Sequence, residues 1–105
     1  MLKTNDKYGR LKEKVAIVTG SSSGIGKAIA LRFGQEGARV VVAARRIALC
    51  EQTVAQIREQ GGEALAIQTD VADERQVERL ISETVTRYGR LDILVNNAGI
   101  GGGSR

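Results

Sequence analysis

Thr19-Gly20-Ser21-Ser22-Ser23-Gly24-Ile25-Gly26 is the stretch on which the fold of this 105-residue chain turns. It follows a short apolar run, Val15-Ala16-Ile17-Val18, that suits a strand buried on both faces. It precedes a segment in which Ile25, Ile29 and Phe33 recur four apart, the spacing of one helical stripe. A strand that stops at Thr19 and a helix that starts near Gly24 must be joined tightly. Glycine supplies positive φ without steric cost, and its missing Cβ lets a ligand approach the backbone. The helix start offers unpaired N–H groups and the positive end of the macrodipole, which suit a pyrophosphate. Ser21, Ser22 and Ser23 add hydroxyl donors. In isolation such a glycine pattern also fits a bare tight turn. Its place between strand and helix selects the phosphate reading, and the expected ligand is a dinucleotide.

Outward from this turn the chain alternates strand and helix. The first helix is expected from about Gly24 to Glu36, with Gly37 as its C-terminal cap. Arg39-Val40-Val41-Val42-Ala43-Ala44 reads as the second strand, and a helix from about Ile47 to Gln60 places Cys50, Val54 and Ile57 on one face. Gly61-Gly62 stops that helix, and Ala64 to Gln68 forms a third strand leading into Thr69-Asp70-Val71. In the third helix Val77, Leu80, Ile81, Thr84, Val85 and Tyr88 follow helical spacing; Asp73 and Gln76 make a capping box, and Gly89 ends it. Leu91 to Val95 is the fourth strand, left through Asn96-Asn97-Ala98-Gly99. This alternation predicts an α/β fold with four strands in a parallel sheet, three helices and right-handed crossovers.

Composition narrows the function classes. Apolar residues are 42% and charged residues 27%, ordinary for a globular domain. Of the net charge of +4, +3 resides in residues 1–14, where Lys3, Lys7, Arg10, Lys12 and Lys14 face Asp6 and Glu13. The excess is thus a basic N-terminal arm, residues 1–13, ahead of a half-domain over residues 14–100. With two tyrosines, one phenylalanine and no tryptophan, the chain offers no stacking platform for nucleic acid. Cys50 is the sole cysteine and histidine is absent, so neither a disulfide nor a thiolate or imidazole metal centre is expected. No window has the length of a membrane span, and a reducing cytoplasm is the expected setting.

Three motifs in order, Thr-Gly-x-x-x-Gly-Ile-Gly at 19–26, Asp70-Val71 and Asn96-Asn97-Ala98-Gly99, resemble the short-chain dehydrogenase/reductase family over residues 13 to 99. The resemblance implies that Gly20, Ser22, Ser23, Gly24, Ile25 and Gly26 lie along the pyrophosphate and adenosine ribose. It implies that Asp70 hydrogen-bonds the adenine amino group, with Val71 presenting its backbone there. Asn97, Ala98 and Gly99 would pack beside the adenosine ribose. It further implies a Rossmann-type, doubly wound parallel sheet with four strands in order 3-2-1-4 and three helices, an NAD(P)-dependent oxidoreductase acting on a small alcohol or carbonyl, and a homo-oligomer for the full-length protein.

Cofactor choice should be set where the second strand ends. A carboxylate there would accept from a ribose 2′-hydroxyl and repel a 2′-phosphate. This chain has Ala44, Arg45 and Arg46 instead, and no acid before Glu51. Guanidinium forks match phosphate, so NADP is favoured over NAD. The alternative is that the two arginines are a solvated helix start.

The family's Ser and Tyr-x-x-x-Lys set lies beyond the Asn-Asn-Ala-Gly motif, and none of it occurs in these 105 residues. Tyr8 to Lys12 has the spacing but precedes the first strand and contains Gly9, so it is read as a decoy. Tyr-Gly-Arg-Leu recurs at 88–91, again just before a strand. Residues 101–105 read as a truncated loop, and the chain as a cofactor-binding portion without catalytic residues, inactive alone. One helix is not expected to cover a face of four strands, leaving the fourth strand a bare edge prone to association. The alternative reading is a non-catalytic nucleotide-binding module or an engineered Rossmann fragment.

Overall fold

A computed structural model describes residues 9–20 and 24–97. In chain order the elements are β1 (Val15–Thr19), α1 (Gly24–Gln35), β2 (Arg39–Ala44), α2 (Ile47–Glu59), β3 (Glu63–Gln68), α3 (Glu74–Tyr88) and β4 (Ile93–Asn96). The sheet is parallel throughout, in the order β3-β2-β1-β4. The α/β class is the one the alternation of periods implies, and the strand order is the one the family resemblance implies.

Strand parity divides the core in two. Val18, Val40, Val42, Ala44 and Ala64 face α1 and α2, where Ala30, Cys50, Val54 and Ile57 complete the larger cluster. Ile17, Val41 and Ala43 face the other way onto Leu80 of α3, with Ile67, Ile81, Tyr88 and Leu91 at the margin. Val15 to Val18 and Val40 to Ala43 have no accessible surface, as central strands covered on both faces should. β4 is less protected. Leu94 pairs in register with Ile17 on the α3 face and remains 51% exposed, with Val85 of α3 also exposed. One helix indeed leaves part of that face uncovered.

Four details differ from the sequence expectation. First, α1 packs only part of the expected stripe: Ile29 and Phe33 are half-buried against the core, but Ile25 is 66% exposed, and the fully buried positions are Gly26, Ala30 and Gly34. Small residues win here because the helix lies close to the sheet and to α2; a Cβ on Gly34 would sit 2.8 Å from Ile57 Cγ2. Second, β4 begins at Ile93, because Asp92 is occupied in capping the strand beside it. Its Oδ2 accepts the Val15 N–H at 2.8 Å while its own N–H donates to the Val15 carbonyl at 2.9 Å. Third, β3 starts one residue earlier, Glu63 pairing with Arg39 across the sheet. Fourth, the Asp73 and Gln76 side chains do not form the reciprocal box. Asp73 Oδ1 caps the Arg75 N–H at 3.0 Å, but Gln76 Oε1 reaches back to the Asp70 N–H at 2.8 Å.

The segment leading into β1 is clamped from α1. Glu36 Oε1 accepts the N–H groups of Gly9 and Arg10, both at 3.1 Å, and its other oxygen pairs with Arg32 at 2.9 Å. Gly9 and Gly89 both take positive φ, 98° and 81°, so the recurring Tyr-Gly-Arg-Leu prepares a strand in each case. Residues 10–13 form a turn, and Tyr8 lies outside the described residues.

Candidate functional site

The carboxyl ends of the parallel strands gather on one edge, and the strand order reverses between β1 and β4. Open α/β sheets bind ligands at that switch point. Thr19 is the hub. Its buried hydroxyl accepts the Asn97 N–H at 3.0 Å and lies 3.2 Å from the Val95 carbonyl and 3.1 Å from Asn96 Oδ1. Asn97 Nδ2 reaches the Gly20 carbonyl at 3.4 Å, and the Gly20 N–H donates to the Ala43 carbonyl at 2.9 Å. These bonds tie the ends of β1, β2 and β4 to the first residue of the turn.

Each described glycine of the turn has a distinct physical reason. Gly20 and Gly24 take φ of 63° and 62°, which L side chains adopt only under strain. A Cβ on Gly24 would meet nothing within 4 Å, so the start of α1 is open to a ligand. A Cβ on Gly26 would collide with the Gly20 carbonyl oxygen and lie 2.7 Å from Asn97 Nδ2. The helix therefore seats its first turn against the backbone just after β1. That cradle fits a pyrophosphate. Ser22, Ser23, Ala98 and Gly99 lie outside the described residues.

Arg45 and Arg46 follow β2 and are exposed. Arg46 is the N-cap of α2 without a side-chain capping bond, and the first turn of α2 holds no acid. Asp70 follows β3, where buried Thr69 donates its N–H to the Ala44 carbonyl at 2.9 Å. Asp70 Oδ1 accepts the Ala72 N–H at 3.0 Å, its N–H is held by Gln76, and its carbonyl accepts the Asp73 N–H at 3.0 Å. Val71, next along, is 37% exposed.

Arg45 and Asp70 line one cavity of about 320 Å³ together with Gln68, Gln76 and Arg79. Sequence reasoning missed the last three as site residues. Gln76 was assigned to the cap of α3, whereas its distance of six positions from Asp70 lets it brace the turn after β3. Among the described residues, no group of three or more histidine, cysteine, aspartate or glutamate side chains could hold a metal ion. No helix among them is long and apolar enough to cross a membrane.

Comparison with known proteins agrees with this geometry. The chain is 43% identical over 97 residues to a 3beta-hydroxysteroid dehydrogenase of Mediterraneibacter gnavus, covering 92% of this chain and 35% of that protein. It is 47% identical over 91 residues to a 3-oxoacyl-[acyl-carrier-protein] reductase of Synechocystis, covering 86% and 37%. The crystal structure of a hydroxysteroid dehydrogenase from Escherichia coli superposes with a TM-score of 0.85 at 42% identity, covering 89% of this chain and 40% of that one. The chain thus spans a little over a third of the length of the relatives it matches. The family model for short chain dehydrogenases matches residues 14–105, and the chain belongs to that family.

Proposed function

We propose that this chain is the cofactor-holding portion of an NADP-preferring oxidoreductase that interconverts small alcohols and carbonyl compounds in the cytoplasm. The observation that carries the reading is the glycine cradle at the switch point. There Gly26 leaves no room for a side chain against Gly20, while Gly24 opens the start of α1. When bound, a nicotinamide dinucleotide supplies the hydride chemistry.

In this reading Gly20, Ser22, Ser23, Gly24, Ile25 and Gly26 run along the pyrophosphate and adenosine ribose. Asp70 accepts from the adenine amino group, helped by the Val71 backbone. Asn97, Ala98 and Gly99 flank the ribose. The preference for NADP rests on Arg45 and Arg46. Two cations beside the positive end of α2 oppose its macrodipole, by about 0.3–1 kcal/mol each at an exposed site. Among the described residues no carboxylate lies within ion-pair distance of either. A 2′-phosphate bound near them would turn that repulsion into attraction.

The proton-transfer groups of the family reaction are absent from these 105 residues, so the chain is expected to bind cofactor without turning over substrate. The full-length protein is proposed to be a homo-oligomer. Calorimetric titration tests the binding reading: NADP is expected to bind more tightly than NAD. No heat with either dinucleotide at millimolar concentration refutes it.

A further inference from the structure

We propose that Arg79 is a second cationic arm of the cavity beside Arg45, so that the pocket selects an adenosine carrying an additional phosphate. This deepens the NADP reading and rests on it.

The two guanidinium-bearing residues line one cavity from different elements. Arg45 comes from the turn after β2, and Arg79 from α3, one turn beyond Gln76. The other lining residues, Gln68, Gln76 and the Asp70 carboxylate, are already engaged in hydrogen bonds. Gln68 Nε2 donates to the Arg45 carbonyl at 3.0 Å, which fixes the backbone that carries the first guanidinium. Gln76 holds the Asp70 N–H at 2.8 Å and donates to Asp73 Oδ2 at 3.2 Å. Asp70 spends one carboxylate oxygen on the Ala72 N–H.

The cations are not committed in this way. Among the described residues the carboxylate within ion-pair distance of Arg79 is Glu83, at 3.8 Å, with both side chains more than half exposed. Such a contact is too long and too solvated to hold a guanidinium in place. Arg45 has no carboxylate at that distance among the described residues. Two loosely held forks of N–H donors therefore face a common space at the sheet edge where α/β folds take their ligands. Guanidinium geometry matches the oxygens of a phosphate, and a dianion between two cations removes their mutual repulsion. An arginine that only solvated the outer face of α3 would not distinguish a ligand with the extra phosphate from one without it.

The test is a calorimetric comparison of adenosine 2′,5′-bisphosphate with adenosine 5′-monophosphate at low ionic strength, on the unaltered chain and on Arg79→Gln. The substitution is expected to weaken bisphosphate binding about three- to fivefold, the size of a partly exposed charge contact, and to leave the monophosphate within about twofold. An unchanged ratio of the two affinities in Arg79→Gln overturns the proposal while the NADP reading stands. Equal weakening of both ligands assigns Arg79 a structural role and overturns it as well. Failure of the unaltered chain to prefer the bisphosphate, or to bind either ligand, overturns both readings together.

Discussion

Replacing Gly26 by alanine sets two known effects against each other, and the structure decides which wins. Alanine in a helix interior is favoured over glycine by about 0.8–1.0 kcal/mol. Against this, the new methyl group would strike the Gly20 carbonyl oxygen, lie 2.9 Å from the Gly20 carbonyl carbon and 2.7 Å from Asn97 Nδ2. Overpacking of this kind costs about 1–3 kcal/mol, the upper end applying where the obstacle cannot move. Here it is backbone, held by the Gly20 N–H to Ala43 bond at 2.9 Å. The net expectation is a loss of about 1–2 kcal/mol, which for a domain of this size lowers the Tm by about 5–10 °C. Urea and thermal unfolding followed by circular dichroism measure both numbers. A Gly26→Ala chain as stable as its parent, or more stable, would mean that α1 does not press against the β1 turn. The cradle derived from that contact would then be wrong.

Two further outcomes follow from titratable groups. The Arg10 N–H, ahead of the charge of Arg32, holds the Glu36 carboxyl below its ordinary range, and the Arg90 guanidinium with the Val15 N–H does the same for Asp92. A depressed native value gives stability that is present above the unfolded value and lost as pH falls through the native one. Glu36→Gln and Asp92→Asn should therefore lower the urea midpoint at neutral pH, and the gap to the parent should close in acid; a pH-independent gap contradicts the assignment. Burial pushes the Cys50 thiol up, and the side chain has no accessible surface. A disulfide reagent should label it only as fast as the chain opens, with the rate rising in urea; labelling at the speed of a free thiol would place Cys50 outside the core.

Much of this molecule is legible in its sequence because parallel strands buried on both faces leave nearly uninterrupted apolar runs. Val15 to Thr19 and Arg39 to Ala44 have the bounds expected of them. The reading failed where packing is done by what is missing. Periodicity counts side chains, so in α1 it chose Ile25, Ile29 and Phe33. Ile29 and Phe33 do reach the core, but the innermost positions are Gly26, Ala30 and Gly34, because close approach to β1 and to Ile57 rewards small residues there. The same blindness applies to the site. Asp70 is a candidate because Asp70-Val71 matches a family motif, but Gln76 and Arg79 belong to a helix whose polar face shows the ordinary charges of a solvated surface. Only the crossover of α3 to the second face of the sheet brings Arg79 to the cavity lined by Arg45, 34 positions earlier in the chain. The proposed phosphate site therefore has no local motif. Its signal is two guanidiniums that share a cavity while neither is held by a close carboxylate, and that becomes visible only once the sheet is assembled.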